Sequence, residues 1–241
     1  MKLEICCSNI ESVENARKAG TDRIELCSAL EVGGLTPSAR FIERAVEVFG
    51  ENVMVLIRPR SGDYIYSPQE IEIMLADAQM ALDNGAAGIV TGFLTASGEI
   101  DVDACRRMRE VVGRRQLTFH RAFDCLNDPL KGLAALIDLG YDRILTSGSC
   151  NSALQGVETI ASLVGNANGK IKIMAGAGVS HENIREIVTR SGCHEVHASA
   201  KQLINKAQHM PSVSGNCDSE YYVSSVSEIQ KLKHHLECLT E

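Results

Sequence analysis

The sequence predicts an α/β protein built as a closed (β/α)8 barrel, and three observations carry that expectation. Four stretches repeat one grammar of helix end, Gly, polar residue and short apolar strand: Ala19–Leu26, Asn84–Val90, Leu139–Leu145 and Ser191–Val196. Gly suits those junctions because helices commonly stop in a left-handed residue that a side chain disfavours. Tandem helix-Gly-strand units imply parallel strands joined by right-handed crossovers. The chain has 241 residues, close to the roughly 250 typical of one such barrel. No Pro/Gly/Ser-rich linker divides it, so one domain is expected over 1–241, with the barrel in about 1–200 and a C-terminal loop and helix extension in about 201–241.

The elements follow in order. The first strand is Lys2–Cys7, and Ser8 or Asn9 caps a helix that ends at Ala19. The second strand is Asp22–Cys27, followed by the loop Ser28–Pro37 and a helix near Ser38–Phe49. Val53–Arg58 is the third strand, stopped by Pro59, and Arg60–Ser67 is a long loop. Pro68 opens the third helix, since proline is tolerated in a first turn, and it runs to Asn84. Gly88–Thr91, the helix Asp101–Val112 and Gln116–His120 come next. A helix then begins at Asp128-Pro129, ahead of the strand Arg143–Ser147. Ser152–Val164 (helix), Ile171–Ala175 (strand), a helix from Ser180 and Glu195–Ala198 (strand) complete the ring. The polar tail from Ala200 is expected to place a loop over the barrel mouth and a closing helix near Ser227–Cys238.

Composition excludes several classes of function. A net charge of −7 with interspersed signs disfavours nucleic acid as a partner. The chain opens directly on a strand pattern, so no signal peptide is expected. No apolar run approaches the ~20 residues of a membrane span. Nine cysteines, odd in number, irregular in spacing and without a CxxC pair, read as free thiols.

A barrel of this kind places its chemistry at the C-terminal ends of its strands. The first two strands both carry Glu-x-Cys, Glu4-Ile5-Cys6 and Glu25-Leu26-Cys27. Side chains alternate along a strand, so if Ile5, Ile24 and Leu26 face the helices, then Glu4, Cys6, Glu25 and Cys27 face the lumen. Carboxylates there are costly unless paired. Arg58, His120, Arg121 and His197 supply cations at other strand ends. These residues suit either a buried structural ion network or a polar active site. The second is preferred because many strands contribute at one end. In that reading Glu4, Glu25, Arg58, His120, Asp124 and His197 are the catalytic candidates, with His120 as a base and Asp124 orienting it or an Arg. Arg58 and Arg60 would clamp a carboxylate or phosphate. Gly176, Gly178 and Ser199, after the seventh and eighth strands, would expose backbone N–H groups to an anion. Cys6 and Cys27 are the metal candidates, and two thiolates suit Cu(I). Buried thiols are the alternative.

At these residues the chain closely resembles the CutC copper homeostasis family. The matching segments include Arg23-Ile24-Glu25-Leu26-Cys27-Ser28, Ile57-Arg58-Pro59-Arg60-Ser61-Gly62-Asp63-Tyr64, Thr118-Phe119-His120-Arg121-Ala122-Phe123-Asp124 and Ile173-Met174-Ala175-Gly176-Ala177-Gly178-Val179. The resemblance runs from the first strand to the eighth. It implies a cytoplasmic TIM-type barrel that forms homo-oligomers, a dimer being favoured. It also implies a role in copper tolerance or trafficking, with Cu(I) at Cys6 and Cys27. The rival expectation is an enzyme acting on a small phosphorylated or carboxylated metabolite, for which the mouth of Glu, Arg and His is suited.

Overall fold

The computed structural model describes residues 1–205 and 220–239. Eight strands close into a parallel barrel in chain order: β1 (Lys2–Cys7), β2 (Arg23–Leu26), β3 (Val53–Leu56), β4 (Gly88–Thr91), β5 (Gln116–Phe119), β6 (Arg143–Thr146), β7 (Lys172–Ala175) and β8 (Glu195–Ala198). The crossovers are α1 (Ile10–Lys18), α2 (Ala39–Phe49), α3 (Pro68–Asp83), α4 (Val102–Val112), α5 (Pro129–Asp138), α6 (Val157–Ala167) and α7 (Ile184–Ser191). The expected (β/α)8 architecture is therefore the observed one.

Local chemistry explains where the helices begin. The Asn9 side chain accepts from the Ser12 N–H, Ser38 from Phe41 and Asp101 from Ala104, each satisfying an otherwise orphaned first-turn donor. Ser67 and Glu70 form a reciprocal capping box ahead of Pro68. Two helices start later than the sequence suggests. α6 begins at Val157 rather than Ser152, because residues 151–156 are spent in turns that bring Gly156 against the loop after β6. α7 begins at Ile184 rather than Ser180, because the Asn183 side chain accepts from the Ser180 N–H and donates to the Gly178 carbonyl, holding a turn there.

Strand alternation divides the apolar residues into two cores. Ile5, Ile24, Val55, Ile89, Phe119, Ile144, Ile173 and Val196 point outward into a continuous shell beneath the helices. Burying each such side chain contributes about 1.5–3 kcal/mol. A separate small cluster, Cys6, Cys27, Met54, Leu56 and Val90, lies inside the lumen. Met174 and Leu145 are also buried on the inner face, and the charged inner side chains are Glu4, Arg23, Glu25, Arg143 and Glu195.

Beyond β8 the chain forms an antiparallel pair, β9 (Lys201–Asn205) and β10 (Glu220–Ser224), then α8 (Val226–Glu237). The helix is close to the one expected, and it buries Ile229, Leu232 and Leu236 where it packs on α1 and α7. The strand pair was not expected. Ser224 ties it to the barrel by donating its hydroxyl to the Cys6 carbonyl and its N–H to the Ser12 hydroxyl. The loop expected over the mouth falls within 206–219, outside the described residues.

Candidate functional site

Register decides which polar side chains meet. Glu4 lies beside Arg23 on β2 and beside His197 on β8, and Cys6 lies beside Glu25. All five side chains face inward, as alternation requires. Arg23 donates to both Glu4 and Glu195. Arg143 also donates to Glu195, and to the Thr118 hydroxyl at 3.0 Å and the Gln116 side-chain carbonyl at 3.1 Å. Two arginines thus balance two glutamates in the lower lumen. Burial alone would raise the Glu4 carboxyl, but the Arg23 charge and the His197 hydrogen bond hold it well below the usual carboxylate range. Burial likewise opposes ionisation of Glu195, and hydrogen bonds from Arg143 and Arg23 outweigh it and keep the group low.

Above this network sits a cavity of about 270 Å³ at the C-terminal ends of the strands. Its lower wall carries Cys6, Cys27, Glu25 and His197. His197 Nδ1 is 2.8 Å from Glu4 Oε1, and its Nε2 is 3.8 Å from Glu25 Oε2. Burial raises the Glu25 carboxyl, and the charge of Glu4 adds to that, while His197 only partly offsets it. For His197, burial opposes the charged ring, but the carboxylates of Glu25 and Glu4 prevail and raise it. Glu25 and His197 thus face each other at 3.8 Å, both shifted toward holding a proton. The Cys6 and Cys27 sulfurs are 3.6 Å apart, and a hydrogen bond between them, then burial, pushes the Cys6 thiol well up. The Cys6 sulfur, a Glu25 oxygen and a His197 nitrogen all lie within 4.8 Å of one another. Every cysteine among the described residues is free.

The remaining candidates have other duties. Glu4 is beneath the cavity and reaches it through His197. Arg58 borders the cavity, but its guanidinium donates to the carbonyls of Val32, Gly34 and Gly62 at 3.0–3.1 Å, clasping two loops. Arg60 lies outside the cavity, paired with Glu70 and Asp63 over the Tyr66 ring, so the expected Arg58–Arg60 clamp does not form. Gly176 is also outside it: its N–H is used by the Thr146 carbonyl and the Leu145 side chain closes over it. Asp124 accepts from Thr146, Ser147 and Ser149 and pairs with Arg121, so it organises the loop after β6 rather than facing His120.

His120 borders the cavity as a neutral ring. Burial and the nearby Arg58 charge lower it to about 3. Its Nδ1 accepts from the Ala122 N–H at 3.1 Å, which leaves the proton on Nε2. A base at neutral pH needs a free acceptor nitrogen, and this one is occupied. Gly178 and Ser199 do border the cavity, as expected, and so does Arg121. Sequence reasoning missed Arg23, Arg143 and Glu195. Arg23 and Glu195 stand two residues before Glu25 and His197, so the alternation that identified those partners already placed them in the lumen.

A sequence model of the CutC family matches residues 1–202. The chain belongs to the CutC family. A family protein CutC from Glaesserella parasuis is 43% identical over 234 residues, covering 97% of this chain and 96% of that protein. The human copper homeostasis protein cutC homolog is 43% identical over 199 residues, covering 83% of this chain and 73% of the human one. The crystal structure of a Streptococcus agalactiae chain described as copper homeostasis protein CutC superposes with a TM-score of 0.79 at 35% identity, over 83% of this chain and 98% of that one. Barrels such as the aldolase QR15, at 17% identity and a TM-score of 0.66, share the fold alone. Most of the β9–β10 pair and all of α8 lie beyond the matched CutC segment. No helix among the described residues is long and apolar enough to cross a membrane.

Proposed function

We propose that this CutC-family protein binds Cu(I) at the floor of the barrel mouth, through Cys6 and Cys27, in a copper homeostasis role. The observation that carries this reading is the pair of thiol sulfurs 3.6 Å apart. Metal–thiolate bonds are about 2.3 Å long, so one ion can touch both sulfurs without backbone movement. The donor set fits a soft ion. Two thiols 3.6 Å apart, walled by Met54, Leu56 and Val90, favour Cu(I) over hard cations that need oxygen and water. A nitrogen of His197 and an oxygen of Glu25 lie within 4.8 Å of the Cys6 sulfur and offer further donors there, and Glu4 orients the His197 ring from Nδ1, the usual arrangement behind a metal-binding histidine. Glu25, next to Cys6, accepts a proton displaced from a thiol. The copper homeostasis names of the human and streptococcal relatives support the same direction.

The test is anaerobic Cu(I) titration of the reduced protein against a chromogenic Cu(I) chelator. The parent should compete for one ion, and Cys6→Ser and Cys27→Ser should each weaken binding by at least about tenfold, since each removes one of two thiolate bonds. A double variant that competes as well as the parent would remove the site.

A further inference from the structure

The upper rim of the same cavity contains a second set of groups that the thiol pair does not use. Arg121 borders the cavity with its side chain 44% exposed. Its Nε donates to Asp124 at 2.9 Å and one Nη2 bond goes to the Ser147 hydroxyl at 3.2 Å, which fixes the fork while leaving Nη1 without a partner among the described residues. Asp124 is itself held by four donors on Thr146, Ser147 and Ser149, so the aim of Arg121 is built into the loop after β6. On the β7 and β8 side, Gly178, Val179 and Ser199 line the cavity. Among the described residues, neither their N–H groups nor the Ser199 hydroxyl has a bonded partner. The carbonyls of the same loop are occupied: Ala177 accepts from Ala153 and Gly178 from Asn183. The loop is therefore anchored by Gly176 and Ser180 as donors and by the Ala177 and Gly178 carbonyls, while the Gly178 and Val179 N–H groups have no partner among the described residues.

We infer that the rim, formed by Arg121, the N–H groups of Gly178, Val179 and Ser199, and the Ser199 hydroxyl, is a binding site for the phosphate of a small phosphorylated metabolite. A guanidinium fork and several N–H donors match the terminal oxygens of a phosphate monoester. The rest of the ligand would extend toward Tyr64, Leu56 and the Glu25–His197 pair. This site replaces the Arg58–Arg60 clamp that the sequence suggested, and it does not depend on copper.

The probe is inorganic phosphate, added to the metal-free reduced protein and compared with chloride and acetate at equal ionic strength. Phosphate should raise Tm above both controls, because only the folded state binds it. It should also shift the backbone amide resonances of Gly178, Val179 and Ser199. Arg121→Met should weaken binding by about tenfold, the loss of one charge-assisted contact. Cys6→Ser/Cys27→Ser should leave the phosphate response in place, which separates this site from the copper reading. A Tm response to phosphate no larger than to chloride would overturn the inference. So would an unchanged response in Arg121→Met, amide shifts confined to other loops, or acetate acting as strongly as phosphate.

Discussion

Arg23 stands between Glu4 and Glu195 inside the barrel, and removing it would leave two buried carboxylates with reduced compensation. Arg23→Met should therefore destabilise the protein by about 3–5 kcal/mol in urea unfolding. Arg60→Met breaks ion pairs that are partly in water and should cost little by the same measurement. The contrast separates the residue that alternation placed in the lumen from the one that merely follows a strand end. Glu-x-Cys was legible because side-chain direction along a strand is fixed. Arg60 was misjudged because nothing in Pro59-Arg60-Ser61 says which way the chain turns after β3. His120 offers a second residue-scale test. Its ring is neutral when folded and held near 3, whereas in the unfolded chain it protonates near its ordinary value of about 6.5. The unfolded state thus binds an extra proton across that window, and stability falls as pH is lowered through it. His120→Asn keeps an acceptor for the Ala122 N–H and removes the titration. Urea unfolding between about pH 5.5 and 4 should show a slope smaller by about 1.4 kcal/mol per pH unit. An unchanged slope would mean that the ring is charged when folded.

At the scale of elements, the loop after β6 is the piece on which the cavity rim depends. Gly148 has φ +70°, and a Cβ built on Gly156 would stand 1.9 Å from the Ser147 carbonyl oxygen. That close approach lets residues 151–156 turn back over the loop and delays α6 to Val157. Gly156→Ala should force Ser147 and its Asp124 bonds apart, costing about 1–3 kcal/mol by thermal or urea unfolding. It should also broaden the amide signals of residues 147–149. A parent-like stability would show that the loop has room that the geometry denies. The sequence made the eight strands and the capped helices readable, through Gly punctuation and side-chain caps such as Ser67 with Glu70. It did not disclose the turns ahead of α6 and α7, because those are set by the close backbone approach of Gly156 to Ser147 and Gly148 and by one Asn183 side chain. The β9–β10 pair was hidden for a similar reason: its anchors are Ser12 and the Cys6 carbonyl, more than 200 residues away in sequence.

Across the whole molecule, the barrel has an apolar shell outside its strands and an ionic network inside them, and the two respond differently to acid. Glu4 and Glu195 have folded-state values below the ordinary carboxylate value of about 4.3. Their contribution to stability is present above that value and is lost as pH falls toward the lower folded one. Acid unfolding should therefore steepen below about pH 4.3, and the steepening should be reduced when Glu4 and Arg23 are replaced together by apolar residues. A parent-like acid profile in that double variant would place the acid sensitivity elsewhere. The network also explains why the lumen carries charges without being the site itself: Arg23 and Arg143 neutralise Glu4 and Glu195, which leaves Glu25, His197 and the two thiols to face the cavity. In the proposed function those two thiols hold copper. X-ray absorption of the Cu(I)-loaded, reduced protein tests it most directly. The parent should show two sulfur scatterers on one copper, with one lost in Cys6→Ser and one lost in Cys27→Ser. A copper environment without sulfur, or one that neither substitution changes, would contradict it.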